Sequence, residues 1–238
     1  MTESGGTPRS GTLTEPQVQA MFDRIAGFYD VMNTVMTAGL HHRWRARAAD
    51  LAALSAGDSA LDVACGTGDL AIELSRRVGA DGEVIGSDFA QEMLERARAK
   101  APALQWELGN ALDLPYASNR FDAATVGFGA RNFSDLDRGL AEMARVVKPG
   151  GRVVVLEITT PRKPPLATFY SLWFDRIVPL IGRVTGEEEA YTYLPNSVKR
   201  FPAPEGLGAA MERAGLGEIR WVLTAGGIIA LHVGTKPG

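Results

Sequence analysis

Residues 61–71 read LDVACGTGDLA: an apolar run with one acid breaks into two glycines two residues apart, then resumes with helix-forming residues. A strand that ends in such a turn and passes straight into a helix is the first half of a strand–helix–strand unit, and that unit folds with one handedness onto a parallel sheet. The period change repeats downstream. EVIGSD (83–88) predicts a second strand with a helix over 90–100, LQWELGNA (104–111) a third, and FDAATVGF (121–128) a fourth, with a helix over 135–147 that KPGG ends. RVVVLEIT (152–159) predicts a fifth strand, apolar enough to lie mid-sheet. After a short helix over 204–216, EIRWVLTAGG and IIALHVGTK predict an antiparallel hairpin at the sheet edge. The expected fold is therefore α/β, a doubly wound, mostly parallel, seven-stranded sheet with an antiparallel C-terminal hairpin.

Outside this core the patterns change. Residues 1–13 are Ser-, Thr- and Gly-rich with little to bury, which predicts a disordered tail ahead of a single domain over 14–238. Thr14 followed by Gln17 forms a capping box, and Val18, Met21, Phe22, Ile25, Phe28 and Tyr29 recur at three- and four-residue spacing on one helix face. With a second helix at about 40–54, residues 14–54 form an expected helical cap. Residues 159–203, punctuated by prolines, form an expected insert or lid.

In open α/β sheets ligands sit beyond the carboxyl ends of the strands, so the Gly66–Thr67–Gly68 loop is the expected ligand cradle. Gly66-x-Gly68-x-x-Ala71 fits the loose dinucleotide fingerprint, and Asp88 lies twenty residues beyond Gly68, where a ribose ligand belongs. Charge separates the possible ligands. Asp62 lies inside the strand that delivers the loop, and Asp69 just after it. A pyrophosphate beside such carboxylates meets repulsion of roughly 4 kcal/mol at 4 Å with an effective dielectric near 20. A ligand carrying a sulfonium and an ammonium is attracted instead. S-adenosylmethionine has both, and still offers a ribose diol to Asp88. Asn110 and Asp113, after strand three, are polar groups able to read an adenine edge, or plain turn-formers.

Composition narrows the classes. A net charge of −3 gives no basic surface for a nucleic acid, and one cysteine with three histidines gives neither an internal disulfide nor a dedicated metal site. No run reaches the roughly 18 apolar residues of a membrane span, and the N-terminus lacks an apolar signal core. These features lead to the expectation of a cytoplasmic protein, at most peripheral on a membrane.

LDVACGTGD, the acid closing strand two, NA after strand three and VVKPGGRVVVLE together resemble class I S-adenosylmethionine-dependent methyltransferases. Segments outside that shared core are more specific. YDVMNTVMTAGLHHRW (29–44), FDAATVGFGARN (121–132), EAYTYLPNSVKRFP (189–202) and LTAGGIIALHVGTKP (223–237) resemble the ubiquinone/menaquinone biosynthesis C-methyltransferases, from about Met21 to Pro237. The resemblance implies S-adenosylmethionine as cofactor, contacted by Asp62, Gly66, Thr67, Gly68, Asp88, Asn110 and Ala111. Gly127 stands where relatives can have serine, so a side-chain contact is lost there.

The implied reaction methylates a ring carbon of a reduced polyprenyl quinone precursor, either demethylmenaquinol or the ubiquinone-branch methoxy-benzoquinol. A quinone ring is electron-poor, so the acceptor must be the quinol, and loss of a phenolic proton sharpens it further. Arg131 is the leading residue to stabilise that phenolate; a structural ion pair with Asp135 or Glu157 is the competing role. Tyr29, Asp30 and His41 lie in the cap, which is expected to fold over the site. Tyr29 and His41 are further catalytic candidates, His41 either titrating near neutrality and accepting the proton or standing as an exposed helix-terminal histidine. The insert residues Phe169, Tyr170, Leu172, Trp173, Phe174, Ile177 and Leu180 are expected to line a groove for the prenyl tail or a membrane patch, against the alternatives of a helix packed on its own core or a subunit contact. A transient membrane contact and a homodimer are the expected associations. A dehydrogenase, a non-catalytic sensor of the cofactor and a nucleic-acid base methyltransferase are the rival classes; the last would carry an Asn/Asp-Pro-Pro-aromatic motif where VGFGARN stands.

Overall fold

The computed structural model describes residues 13–162, 164–172, 176 and 188–238. Its seven strands are β1 (Ser59–Val63), β2 (Glu83–Asp88), β3 (Gln105–Leu108), β4 (Phe121–Gly127), β5 (Val147–Ile158), β6 (Gly217–Thr224) and β7 (Ile229–Thr235). They form one sheet in the order β3-β2-β1-β4-β5-β7-β6. The first five pair in parallel, and β7 pairs antiparallel with both β5 and β6, as the hairpin expected from its glycines. Strand order reverses beside β1, so the loop after β1 opens at the switch point where ligands bind in such sheets.

Helices cover both faces: α1 (Glu15–Ile25), α2 (Tyr29–Thr37), α3 (Leu40–Leu51), α4 (Asp69–Val78), α5 (Gln91–Lys100), α6 (Leu136–Val146), α7 (Leu166–Leu172), α8 (Glu188–Arg200) and α9 (Pro204–Arg213). With both faces covered, Val153, Val154, Val155 and Leu156 of β5 are all fully buried, which is why that strand reads as an unbroken apolar run.

Three expectations are adjusted. The apolar face from Val18 to Tyr29 is not one helix: α1 stops at Ile25, a turn follows, and Tyr29 begins α2. The KPGG turn ends α6 but already belongs to β5, whose ladder with β4 shifts register there. The polar tail lies outside the described residues up to position 12, whereas Leu13 packs against the cluster of Val18, Met21 and Met93. Thr14 does cap α1, its N–H donating to Gln17 Oε1 at 2.8 Å. No helix among the described residues is long and apolar enough to cross a membrane.

The platform beneath the glycine loop is Trp106. Its register partner on β2 is Gly86, and a Cβ built there would lie 2.4 Å from the indole. A Cβ on Gly68 would lie 2.3 Å from the same ring, and Gly68 also adopts φ +84°, which favours glycine. The indole N–H donates to Ala101 O at 3.0 Å, which fixes the ring's direction. Gly86→Ala, which changes no unusual backbone angle, is expected to destabilise the fold by about 1–3 kcal/mol through overpacking. The check is the urea midpoint at unchanged m-value; a wild-type midpoint would mean that Trp106 is not confined by Gly86.

Candidate functional site

Two chambers meet at the carboxyl ends of the strands. The first is a polar cleft bordered by the glycine loop, with Asp62, Gly66, Thr67, Asp88, Asn110, Ala111 and Gly127 in its wall. Of the residues expected to touch the cofactor, only Gly68 stands back, behind Thr67 and against Trp106. The second chamber is a cavity of about 430 Å³ between the cap and the insert, lined largely by apolar and aromatic side chains and including Tyr29, His41 and Arg131. Phe22, Tyr29 and Phe128 border both.

In the cleft, Asp88 closes β2 with its carboxylate turned back on the chain. Its Oδ2 accepts from Gly66 N–H at 2.7 Å and its Oδ1 from Ala90 N–H at 2.9 Å. Burial pushes its pKa up to about 6 against those stabilising bonds. Asp62 is buried more deeply. Its Oδ1 accepts from Thr125, its register neighbour on β4, at 2.7 Å, while its Oδ2 is buried with no partner among the described residues. Burial raises its pKa to about 7. An unpartnered acidic oxygen in the wall of a cleft suits a cationic ligand group, and the φ of +55° at Gly66 bends the loop around the same space. These features fit S-adenosylmethionine and oppose a pyrophosphate.

The expectation for Asp69 is corrected. Asp69 is not among the residues of the cleft wall, and its carboxylate meets Lys100 at 2.7 Å and Arg45 at 3.4 Å. Burial alone would raise its pKa, but those two cations outweigh it and hold the group below the usual range. Its charge is therefore spent inside the protein. Asn110 is likewise engaged: Oδ1 accepts from Leu112 N–H at 2.9 Å in a side-chain turn, and Nδ2 donates to Glu15 Oε1 at 2.6 Å. Asp113 pairs with Asn110 through the backbone and is not in the wall.

Glu15 was not legible as a site residue. It lies on α1, ninety-five residues from Asn110, and also accepts from Ser134 at 3.1 Å. Together with Gln19, which donates to Phe89 O at 2.7 Å, it seats α1 across the ends of β2 and β3. Thr67 is tied to the cap as well, donating to Asp30 Oδ1 at 2.5 Å and accepting from Lys100 at 3.2 Å.

In the apolar chamber, Arg131 follows β4 on a short 3₁₀ turn, and its Nη1 lies 3.1 Å from both oxygens of Glu157 while also donating to Phe128 O. The competing structural role is thus realised, with Glu157 and not Asp135; yet Arg131 remains in the cavity wall, its Nε without a partner among the described residues. Tyr193 and Tyr191, from the segment EAYTYLPNSVKRFP, join that wall, and Tyr193 donates to Asn132 Oδ1 at 3.1 Å. Tyr170 of the insert also lines it, whereas Leu172 is about half exposed. Phe169 falls on α7, and Trp173, Phe174, Ile177 and Leu180 lie outside the described residues.

His41 is corrected too. It is buried, and burial, with Arg45 and His42 adding to it, pushes its pKa down to about 4. Arg45 bonds its Nδ1, and Thr34 Oγ1 lies 3.2 Å from Nε2. The ring is neutral at neutral pH with both nitrogens engaged, so it does not titrate there. His41, His42 and Asp69 cluster as metal ligands could, but the Arg45 guanidinium already contacts both His41 and Asp69.

The ubiE/COQ5 methyltransferase family profile matches residues 11–236. A demethylmenaquinone methyltransferase of Thermus thermophilus is 46% identical over 91% of this chain and 100% of its own length. One from Desulfitobacterium hafniense is 42% identical over 96% and 93%. A ubiquinone/menaquinone biosynthesis C-methyltransferase of Teredinibacter turnerae is 38% identical over 92% and 91%. Among solved structures, a possible histamine N-methyltransferase of Thermotoga maritima superimposes with a TM-score of 0.65 at 20% identity, over 92% of this chain and 99% of that one. The [4+2]-cyclase SpnF does so with 0.69 at 21%, over 96% and 99%. Both share the fold.

Asp62 supplies a prediction. Its folded pKa, about 7, lies above the ordinary 3.8. The protonated folded state is therefore favoured at low pH, and that stability is lost as pH rises from about 4 through about 7. Asp62→Asn, which cannot ionise, should match wild type near pH 4 and exceed it by a few kcal/mol above pH 7. Urea titrations across that range would show a pH-independent difference if Asp62 stays ionised throughout.

Proposed function

We infer the activity from the family to which this chain belongs, the ubiE/COQ5 methyltransferases: it is an S-adenosylmethionine-dependent C-methyltransferase that converts demethylmenaquinol to menaquinol in menaquinone biosynthesis. The observation that carries the reading is the pairing of chambers, a polar acidic cleft opening past Phe22, Tyr29 and Phe128 onto an apolar cavity of about 430 Å³. That volume lies in the range of small-molecule sites.

Asp62 would hold the ammonium group through its unpartnered oxygen, Asp88 the ribose diol, and Asn110 with Ala111 the base, while Gly66, Thr67 and Gly127, in the cleft wall, leave room for close approach of the backbone. Bound there, S-adenosylmethionine supplies an activated methyl group on a sulfonium. The protein's task is then to hold an electron-rich ring in line with it. Proximity contributes much of the acceleration because the electrophile arrives already activated.

Arg131 stabilises the ring oxyanion. Its charge persists at any working pH, and Glu157 and Phe128 O hold the guanidinium in one orientation. Tyr29, at the junction, orients the acceptor ring. His41 acts as a neutral wall residue that positions Thr34 and Arg45, and takes no proton. A second reading, methylation of the ubiquinone-branch methoxy-benzoquinol, is favoured by the likeness to the Teredinibacter protein. The acceptor is bilayer-resident, so the enzyme works from the cytoplasm at the inner face of the membrane.

Transfer of labelled methyl to each reduced acceptor tests the assignment; transfer to neither would refute it. Asp88→Asn should weaken S-adenosylmethionine binding at least about tenfold, the scale of a hydrogen bond to a charged group; unchanged affinity by calorimetry removes Asp88 from the site. Arg131→Ala alone would strand a buried carboxylate, so the informative variant is Arg131→Met with Glu157→Gln. It should turn over about 10²- to 10³-fold more slowly with cofactor affinity unchanged. A wild-type rate ends the oxyanion role.

A further inference from the structure

α2 is nine residues long, and none of them is buried. Val31 and Val35, one turn apart on one face, are 66% and 74% exposed, and Leu40 at the start of α3 is 42% exposed. Leu40, Arg43 and Arg47 recur at three- and four-residue spacing, so they share a face of α3, and both arginines are exposed. Between Tyr29 and Leu40 the only charged side chain is Asp30, which is bound to Lys100 at 2.7 Å. Neither Arg43 nor Arg47 has an ion-pair partner among the described residues. A chain of net charge −3 thus leaves two unpaired cations beside an apolar ridge.

The ridge is continuous with the site. Val35 and Leu40, exposed on the outside, also line the apolar cavity, together with Met32 and Met36. The cavity mouth is therefore framed by the residues that stand out from the surface.

We propose that this face, Val31, Val35 and Leu40 flanked by Arg43 and Arg47, docks on an anionic lipid bilayer, so that the cavity opens toward the acyl region. Apolar side chains enter the headgroup–acyl boundary, and the arginines meet lipid phosphates. The proposal rests on the reading that the acceptor is a bilayer-resident quinol, whose tail then reaches the cavity without crossing water. A second copy of the chain fits the ridge less well. A two-fold contact would set the same patch against itself, and Arg43 and Arg47 would face like charge.

The test is co-sedimentation with vesicles of phosphatidylcholine alone and of phosphatidylcholine mixed with phosphatidylglycerol. The wild type should bind the mixed vesicles, with affinity falling as salt is added. Arg43→Glu with Arg47→Glu should lose at least about tenfold in affinity, since each cation near such a surface contributes about fivefold. Val31→Ser should also weaken binding, and both variants should keep wild-type turnover of a quinol lacking the prenyl tail. Three results overturn the proposal: no vesicle binding by the wild type, equal binding by the variants, or a dimer in sedimentation velocity that Val31→Ser dissociates. Vesicle binding that the variants lose, alongside a wild type that cannot methylate the tailless quinol, upholds the docking surface and refutes the substrate reading instead.

Discussion

Lys100, the last residue of α5, holds oxygens from three elements at once: Asp30 of α2 at 2.7 Å, Asp69 of α4 at 2.7 Å, and Thr67 of the glycine loop at 3.2 Å. On the other side of Asp69, Arg45 of α3 continues the chain to His41. These charge-assisted contacts are partly or fully shielded from water, so removing one member leaves the others exposed to each other's uncompensated charge. The cap is consequently located by the same side chains that shape the loop. Tyr29 reaches the junction between the chambers because Asp30, its neighbour, is pinned there.

That junction is where polarity changes, and the chemistry needs the change. A sulfonium and an ammonium call for carboxylates, while a ring and its prenyl tail call for an apolar wall. Phe128 marks the boundary in the left-handed region, φ +64°, which is costly for a bulky residue. Its N–H donates to Leu156 O at 2.8 Å and its carbonyl accepts from Arg131. The strained residue is thus over-determined by the strand beside it and by the residue assigned to the oxyanion. Phe22 and Tyr29 meet edge to face at 6.2 Å between ring centres and close the boundary from the cap side.

The sheet does not itself select the reaction, for a [4+2]-cyclase superimposes on it nearly end to end. What differs is placed on the sheet by the cap and insert, where the more specific sequence segments lie. Those segments led to the apolar chamber, and the structure seats Tyr170, Tyr191 and Tyr193 in its wall.

Strand and helix positions, the parallel order, the edge hairpin and the place of the glycine loop were legible in the chain because each is written in local terms: period two, period 3.6, turn residues at fixed offsets. Asp88 was legible for the same reason, since a residue that ends a strand beside the switch point must face the cleft. What each charge does there was not. Asp69 is silenced by Lys100 and Arg45, Asn110 is held by Glu15 from ninety-five residues away, and Arg131 is locked by Glu157 from twenty-six. Asp62 keeps one oxygen unpaired among the described residues because Thr125, on the neighbouring strand, takes only the other. Ionisation and orientation depend on neighbours in space and on how much water is excluded, and no local pattern encodes either. The sequence by itself thus determined where a ligand could lie, and the tertiary structure alone decided which side chains are free to meet it.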